Sequence, residues 1–223
     1  TDLGARLLIP YVEKELGVSI AISNIAGAGG WTGYIEMLNA KPDGYTLSFA
    51  NWPASITTYM NPTAKLPYTY KDFKYVANQV SDYCVFVINK DEKRFKSFKE
   101  FIEFAKTNEV FVGTGGGTGS DDHVTIEKIN KIAGTKMTMT PFQSGADSTA
   151  AILGGHVDAI VGNVGEWYTK VANGDAILLA VAAEKRDSFI PNVPTIGEEL
   201  GTVVISASDR GIVAPAGLPD DIY

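Results

Sequence analysis

Phe111-Val-Gly-Thr-Gly-Gly-Gly-Thr-Gly-Ser-Asp-Asp-His123 is the stretch that decides the fold. An apolar run ending at Val112 enters a glycine-rich turn, and a helix is expected to begin at Ser120 or Asp121, one of which caps it. Glycines let backbone approach a ligand closely and adopt positive φ. A helix start adds unsatisfied N–H groups and the positive end of a dipole. Strand, turn and helix together make a pocket for a carboxylate or a phosphate. The plainer alternative is a turn that only joins a strand to a helix. Two phosphate motifs fail on this stretch. No Lys follows the glycines, as the Walker loop requires, and Ser120 stands where the third glycine of the dinucleotide fingerprint belongs. Asp121 and Asp122 would repel a phosphate unless turned away, so a small carboxylate fits better.

Working outward, the strand–turn–helix pattern repeats. Lys136–Phe142 reads as a strand that delivers the polar turn Gln143–Asp147 to a helix ending at Gly154-Gly155. Val157–Val161 reads as another strand, with 162–165 as its exit loop and a short helix over 166–173. In a parallel sheet the exits at 113–120, 143–147 and 162–165 share one edge, where open α/β sheets bind ligands. Upstream, Phe98, Phe101, Ile102 and Ala105 form one helical face. Two strands are expected at 73–80 and 84–88, and a buried strand at 176–183.

In the first third, Leu8, Val12 and Leu16 at spacing four predict an amphipathic helix over 3–16, with Asp2 as its cap, Pro10 inside it and Gly17 at its end. Val18–Ser23 reads as a strand, 31–40 as a helix and Tyr45–Ala50 as a second strand, a βαβ unit with parallel pairing. Asn51 and Trp52 follow that strand directly and are candidates for the site; for Trp52, packing under a loop weighs equally. Short strands are expected at 203–205 and 211–214, and a helix near 195–200.

Composition bounds the function. The 223 residues suffice for one large domain or two small ones, and 45% are hydrophobic, enough for a substantial core. A net charge of −7 argues against nucleic acid, which selects a basic face. The single cysteine, Cys84, excludes an intramolecular disulfide. Two histidines and one cysteine make a zinc site unexpected, and no Gly-x-Ser-x-Gly elbow is present. No metal, cofactor or catalytic residue is expected. No stretch approaches the ~20 apolar residues of a membrane span. The chain reads as trimmed at its front, so a removed signal or anchor would not show.

Seven stretches, in order and spacing, carry a resemblance: Thr1-Asp-Leu-Gly-Ala-Arg6, Gly27-Ala-Gly-Gly30 with Thr32-Gly33, Lys41-Pro-Asp-Gly-Tyr-Thr-Leu47, Gly117-Thr-Gly-Ser-Asp-Asp-His123, Leu153-Gly-Gly-His-Val-Asp158, Pro191-Asn-Val-Pro-Thr195 and Ala214-Pro-Ala-Gly-Leu-Pro219. Running almost end to end, they make the chain resemble the substrate-binding receptors of tripartite tricarboxylate transporters, the Bug-type receptors. The resemblance implies an α/β protein of the two-lobed type II periplasmic-binding-protein architecture with a ligand cleft between lobes. Lobe 1 would be residues 1–87 with 186–223, lacking its first strand and last helices; lobe 2 would be residues 88–185. It implies a periplasmic or otherwise extracytoplasmic receptor, lipid-anchored in some cases and expected to be a monomer. Such a receptor closes on a di- or tricarboxylate, an amino acid or an aromatic acid and hands it to a membrane permease.

The resemblance and the strand exits together select the site residues. Hydroxyls of Thr114, Thr118, Ser120 and Ser144, with backbone at Gly116, Gly119, Gly145 and Ala146, would hold the carboxylate. Asn51 and Asn163 would orient the rest of the ligand, and Trp52, with Trp167 less directly, would wall it. Asp2 matches the aspartate that closes the family's first-lobe loop, although the Gly-Gly stretch usually before it is absent. Gln143-Ser-Gly145 stands where the family usually has Tyr-Lys-Gly. Residues 51–60 are longer than usual, and Asp209-Arg210 replaces a Trp-containing approach to the last strand. The competing reading is an α/β enzyme acting on a carboxylate or phosphate, with Asp121, Asp122 and His123 as acid–base groups.

Overall fold

The computed structural model describes residues 2–223, except the side chain of Leu3; Thr1 lies outside the described residues. The chain divides into two compact units, Thr1–Ser81 with Asp209–Tyr223, and Asp82–Ser208. These limits, 81/82 and 208/209, differ from the expected 87/88 and 185/186. Residues 82–87 and 186–208 fall in the second unit, where Cys84 N–H donates to Ser206 O, Ser206 N–H to Ala182 O and Val181 N–H to Pro194 O.

In the first unit, α1 (Asp2–Leu16) runs through Pro10 and ends at Gly17, which takes φ +65°. Asp2 lies inside the first turn, where its charge suits the helix dipole, rather than at the cap. The strand expected over 18–23 does not form, because no ladder partner reaches it among the described residues. The Ile20 N–H donates instead to Glu13 Oε1 at 2.6 Å. Then come α2 (Trp31–Asn39), β1 (Ser48–Trp52), α3 (Ala54–Met60) and the start of β2 (Phe73–Asn89). The expected parallel βαβ unit is therefore absent: β1 pairs antiparallel with β7 (Ala207–Pro215), which neighbours β2. Trp31, Tyr34 and Met37 of α2 pack on Ala50, Phe73 and Val213, and the Trp31 indole donates to Ser55 O at 2.8 Å.

The second unit positions the polar strand exits. Its remaining elements are α4 (Phe98–Thr107), β3 (Val110–Thr114), α5 (Asp121–Ala133), β4 (Met137–Pro141), α6 (Gly145–Leu153), β5 (Ala159–Asn163), α7 (Val164–Ala172), β6 (Ala176–Val181) and α8 (Ile196–Leu200). β3 pairs in parallel with both β4 and β5, so the three strands end on one edge. The second half of β2 lies antiparallel between β5 and β6. Side chains alternate with period two. Phe86, Ile88, Val110, Val112 and Val161 face Phe98, Phe101, Ile126 and Ile129 of α4 and α5. Val85, Val87, Ile160 and Leu178 face Ile152 and Trp167 of α6 and α7. Each fully buried side chain of this size stabilises by about 1.5–3 kcal/mol. This rigid base fixes where the loops leave the sheet.

The expected strands at 73–80 and 84–88 are one, and 203–205 is irregular. Residues 51–60, the segment expected to be longer than usual, finish β1 and form α3.

Candidate functional site

β3 and β4 each end in a short polar loop that becomes a helix, and β5 runs straight into α7. Ser120 caps α5: its Oγ accepts the His123 N–H at 3.3 Å and donates to Gly117 O at 2.9 Å. Ser144 caps α6: its Oγ accepts the Asp147 N–H at 3.2 Å and donates to Asp147 Oδ2 at 2.8 Å. α7 starts directly from β5 with no side-chain cap. Ser and Asp/Asn at such positions satisfy orphan helix N–H groups, worth about 1 kcal/mol per cap.

The first two loops touch. A Cβ built on Gly115 would lie 2.8 Å from both Cα and N of Gly145 and 3.2 Å from Ser144 C. Only glycine permits that approach. Phe142 N–H also donates to Thr114 O at 2.9 Å, closing the pair from below. Gly117 and Gly119 take φ of +71° and +86°, which folds the loop back over the start of α5. Gly119 N–H donates to His123 Nδ1 at 3.0 Å. His123 is thus a loop anchor.

Beneath the glycine loop lies a buried polar nest that the sequence did not reveal. Asp122 turns inward, and its Oδ2 accepts the Gly116 N–H at 3.3 Å. Asp121 Oδ2 accepts from Asn163 Nδ2 at 2.7 Å and from the Cys84 thiol at 3.4 Å. Asn163 Nδ2 also donates to Asp82 O at 2.8 Å. Burial, then the charges of Asp121 and Glu166, push the Asp122 carboxyl well above the usual carboxylate range, against the pull of the Gly116 and Gly115 N–H groups. Burial, then Asp121 and Asp122, push the Cys84 thiol up. The two aspartates therefore point away from the outer side of the loop. Cys84, Asp121 and Asp122 hold their ligand atoms within 4.8 Å of one another. This donor set does not fit a resident metal, because Asn163 and the thiol already donate to Asp121 and a raised thiol resists becoming a thiolate. Asp82 and Glu166 were not among the expected site residues, and Asp122 was expected only as an acid–base group of the enzyme alternative. Acidic residues in the first turns of α5 and α7 were the available signal.

The predicted residues distribute as follows. Gly116, Thr118, Gly119, Gly145 and Ala146 lie exposed or half-buried on the two touching loops, with half-buried Ser144 at the α6 cap. Thr114 and Ser120 are buried, and Thr114 Oγ1 has no hydrogen-bond partner. Asn163 is buried with its amide turned into the nest. Trp167 is a core side chain. In the first unit, Asn51 sits in β1; its N–H donates to Tyr34 Oη at 3.1 Å and its carbonyl accepts from Ser55 Oγ. Trp52 packs within the aromatic cluster, 5.4 Å from the Tyr70 ring and stacked on Tyr34. Asp2 accepts from Arg6 Nε at 2.9 Å and Asn24 Nδ2 at 2.8 Å, and those two partners hold its carboxyl below the usual range. Among the described residues no helix is long and apolar enough to cross a membrane.

Residues 5–223 match the family described as "Tripartite tricarboxylate transporter family receptor". The chain is 32% identical over 225 residues to the UPF0065 protein in the gbd 5′ region of Cupriavidus necator, covering 97% of this chain and 65% of that protein. It thus spans just under two thirds of that relative. A TctC solute binding protein from Polaromonas, solved without ligand, superposes with a TM-score of 0.85 at 28% identity, covering 99% of this chain and 75% of that one. MatC from Rhodopseudomonas palustris, solved with bound malate, superposes with a TM-score of 0.78 at 26% identity, with the same coverage.

Proposed function

The chain belongs to the tripartite tricarboxylate transporter receptor family, and from that premise we propose that it is a periplasmic solute receptor that captures a small organic carboxylate and delivers it to a membrane permease. The observation that carries the reading is the contact of the two glycine-containing loops, with Gly115 against Gly145 at the starts of α5 and α6. Two helix N-termini side by side present backbone N–H groups and aligned dipoles to one anion. The proposed carboxylate donors are the N–H groups of Gly145 and Ala146 with the hydroxyl of Thr118; Gly116, Gly119 and Ser144, whose own donors go to Asp122, His123 and Asp147, shape the two loops around them, and Thr114 and Ser120 support the loop from within. Asn163 supports the grip from the nest, and Asp2, Asn51 and Trp52 remain proposed ligand groups of the first unit. Malate bound to the MatC relative supports an organic acid as the ligand class.

The reading makes the protein a binding protein without turnover. Asp121 and Asp122, the acid–base groups of the enzyme alternative, are buried and hydrogen-bonded into the nest, which favours the receptor. A thermal-shift screen against organic acids, with sugars and nucleotides as controls, tests the proposal. At 100 times Kd a ligand adds about 2.7 kcal/mol. For a chain of this length that raises Tm by roughly 5–10 °C. A response confined to sugar phosphates or nucleotides would overturn it, and chemical conversion of a bound acid, read by mass spectrometry, would favour the enzyme.

A further inference from the structure

We infer that Asp122 makes anion binding proton-linked: the receptor takes up a proton on the Asp122 carboxyl as the ligand docks, and so holds its anion more tightly at low pH than at high pH. This rests on the proposed function and adds the regulation of that site. Asp122 is the second residue of α5 and is buried under the glycine loop. Its Oδ2 accepts the Gly116 N–H at 3.3 Å, and Gly116 follows Gly115, the residue in contact with the Gly145 backbone. The carboxyl is thus the floor of the loop. It lies on the order of 10 Å from an anion on the Gly145 and Ala146 N–H groups. Its Oδ1 is buried with no hydrogen-bond partner. A buried carboxylate with a bare oxygen costs far more than the neutral acid.

The ionisable groups that face Asp122 are acidic. Asp121 on α5 and Cys84 on β2 bring ligand atoms within 4.8 Å of it and of each other, and Glu166 on α7 adds its charge. Farther out, Asp82 accepts the Gly165 N–H, Asp147 accepts the Ser144 hydroxyl, and His123 Nδ1 accepts the Gly119 N–H. Two carboxyls as close as those of Asp121 and Asp122 share a proton more readily than both ionise. A docked carboxylate adds one more negative charge above them. At that separation and an effective dielectric constant of about 20, an ionised Asp122 weakens anion binding by about tenfold. By reciprocity the bound anion raises the proton affinity of Asp122 by the same factor. Below its folded value Asp122 is neutral and the anion is held tightly. Above that value Asp122 is ionised and the anion is held weakly. Proton uptake is largest between the values of the free and the bound protein.

Calorimetric titration with L-malate, glutarate, L-glutamate and benzoate from about pH 6 to 8.5, where their carboxyls stay ionised, tests this. Each titration is run in two buffers of different ionisation enthalpy, which counts the protons exchanged. For the tightest binder, the wild-type Kd is expected to rise by about tenfold across the range, with up to about one proton taken up per anion where the slope is steepest. In Asp122→Asn, Kd should change by less than about twofold with no proton taken up; circular dichroism checks that the variant folds. Carboxyl carbon shifts of the wild-type protein, followed by NMR, place the proton without any variant: the Asp122 midpoint should move up when the acid is bound. A wild-type Kd that does not change with pH, an unmoved Asp122 midpoint, or a pH slope that persists in Asp122→Asn overturns the inference and leaves the receptor reading standing. No binding of any of the four acids at any pH would remove the receptor reading as well.

Discussion

Gly115→Ala is the most informative single substitution. A methyl at this position would lie 2.8 Å from Gly145 Cα and N, well inside contact distance, and the obstacle is backbone, which cannot rotate aside. The loops must separate. Overpacking of this kind costs about 1–3 kcal/mol, and the stiffer unfolded chain returns about 0.4–1 kcal/mol. The net loss is about 1–2 kcal/mol, or roughly 2–8 °C in Tm for a chain of this length. Binding should suffer more than stability, because separation moves the Gly145 and Ala146 N–H groups away from Thr118 on the other loop. A loss of affinity of at least about tenfold corresponds to about 1.4 kcal/mol. The control is Gly134→Ala at the far end of α5, where φ is +71° and no heavy atom lies within 4 Å of the added carbon. The left-handed backbone makes it destabilising by about 1–2 kcal/mol, with affinity unchanged. Calorimetric titration with the best carboxylate from the screen, beside urea melts, separates the two effects. If Gly115→Ala binds as tightly as the wild type, the touching loops are not the grip.

Three further predictions follow from the nest and the caps. Asp122 has a raised folded-state pKa, so the folded protein holds a proton that the unfolded chain releases near pH 4, and stability falls as pH rises from there through the folded value. Asp122→Asn keeps an acceptor for Gly116 and removes that term; urea melts from pH 4 to 8 should show the variant gaining on the wild type as pH rises, and a gap that closes or reverses would refute the assignment. Cys84 is fully buried with a raised pKa, so labelling by iodoacetamide should track the unfolded fraction in urea; rapid labelling of the native protein would contradict its place in the nest. Ser144→Leu removes the α6 cap and the bond to Asp147, costing about 1 kcal/mol, and should weaken carboxylate binding by about tenfold or more; unchanged affinity would put this loop outside the site.

The strand exits were legible because their signals are local. Ser120 and Ser144 each precede a helical stretch and follow an apolar run, and the structure makes both the caps of their helices. The contact between Gly115 and Gly145 was not legible, since it depends on the parallel neighbours β3 and β4 ending level at Thr114 and Pro141. The inward turn of Asn163 depends likewise on its register opposite Cys84 in β2. The first unit read less well. Val18–Ser23 has strand composition, but a strand needs a ladder, and pairing is a property of the whole sheet rather than of six residues. The polar Ser81-Asp82 suggested a break in what is one 17-residue strand. Polar composition there reflects the point where one unit gives way to the other, not a turn.

The central claim is that backbone N–H groups at the start of α6, with the Thr118 hydroxyl beside them, hold the ligand carboxylate. Amide chemical shifts followed by NMR during titration with the best-binding acid test it most directly. The largest changes are expected on Gly145 and Ala146, with Thr118 beside them. Saturable binding that leaves those amides unmoved would contradict it.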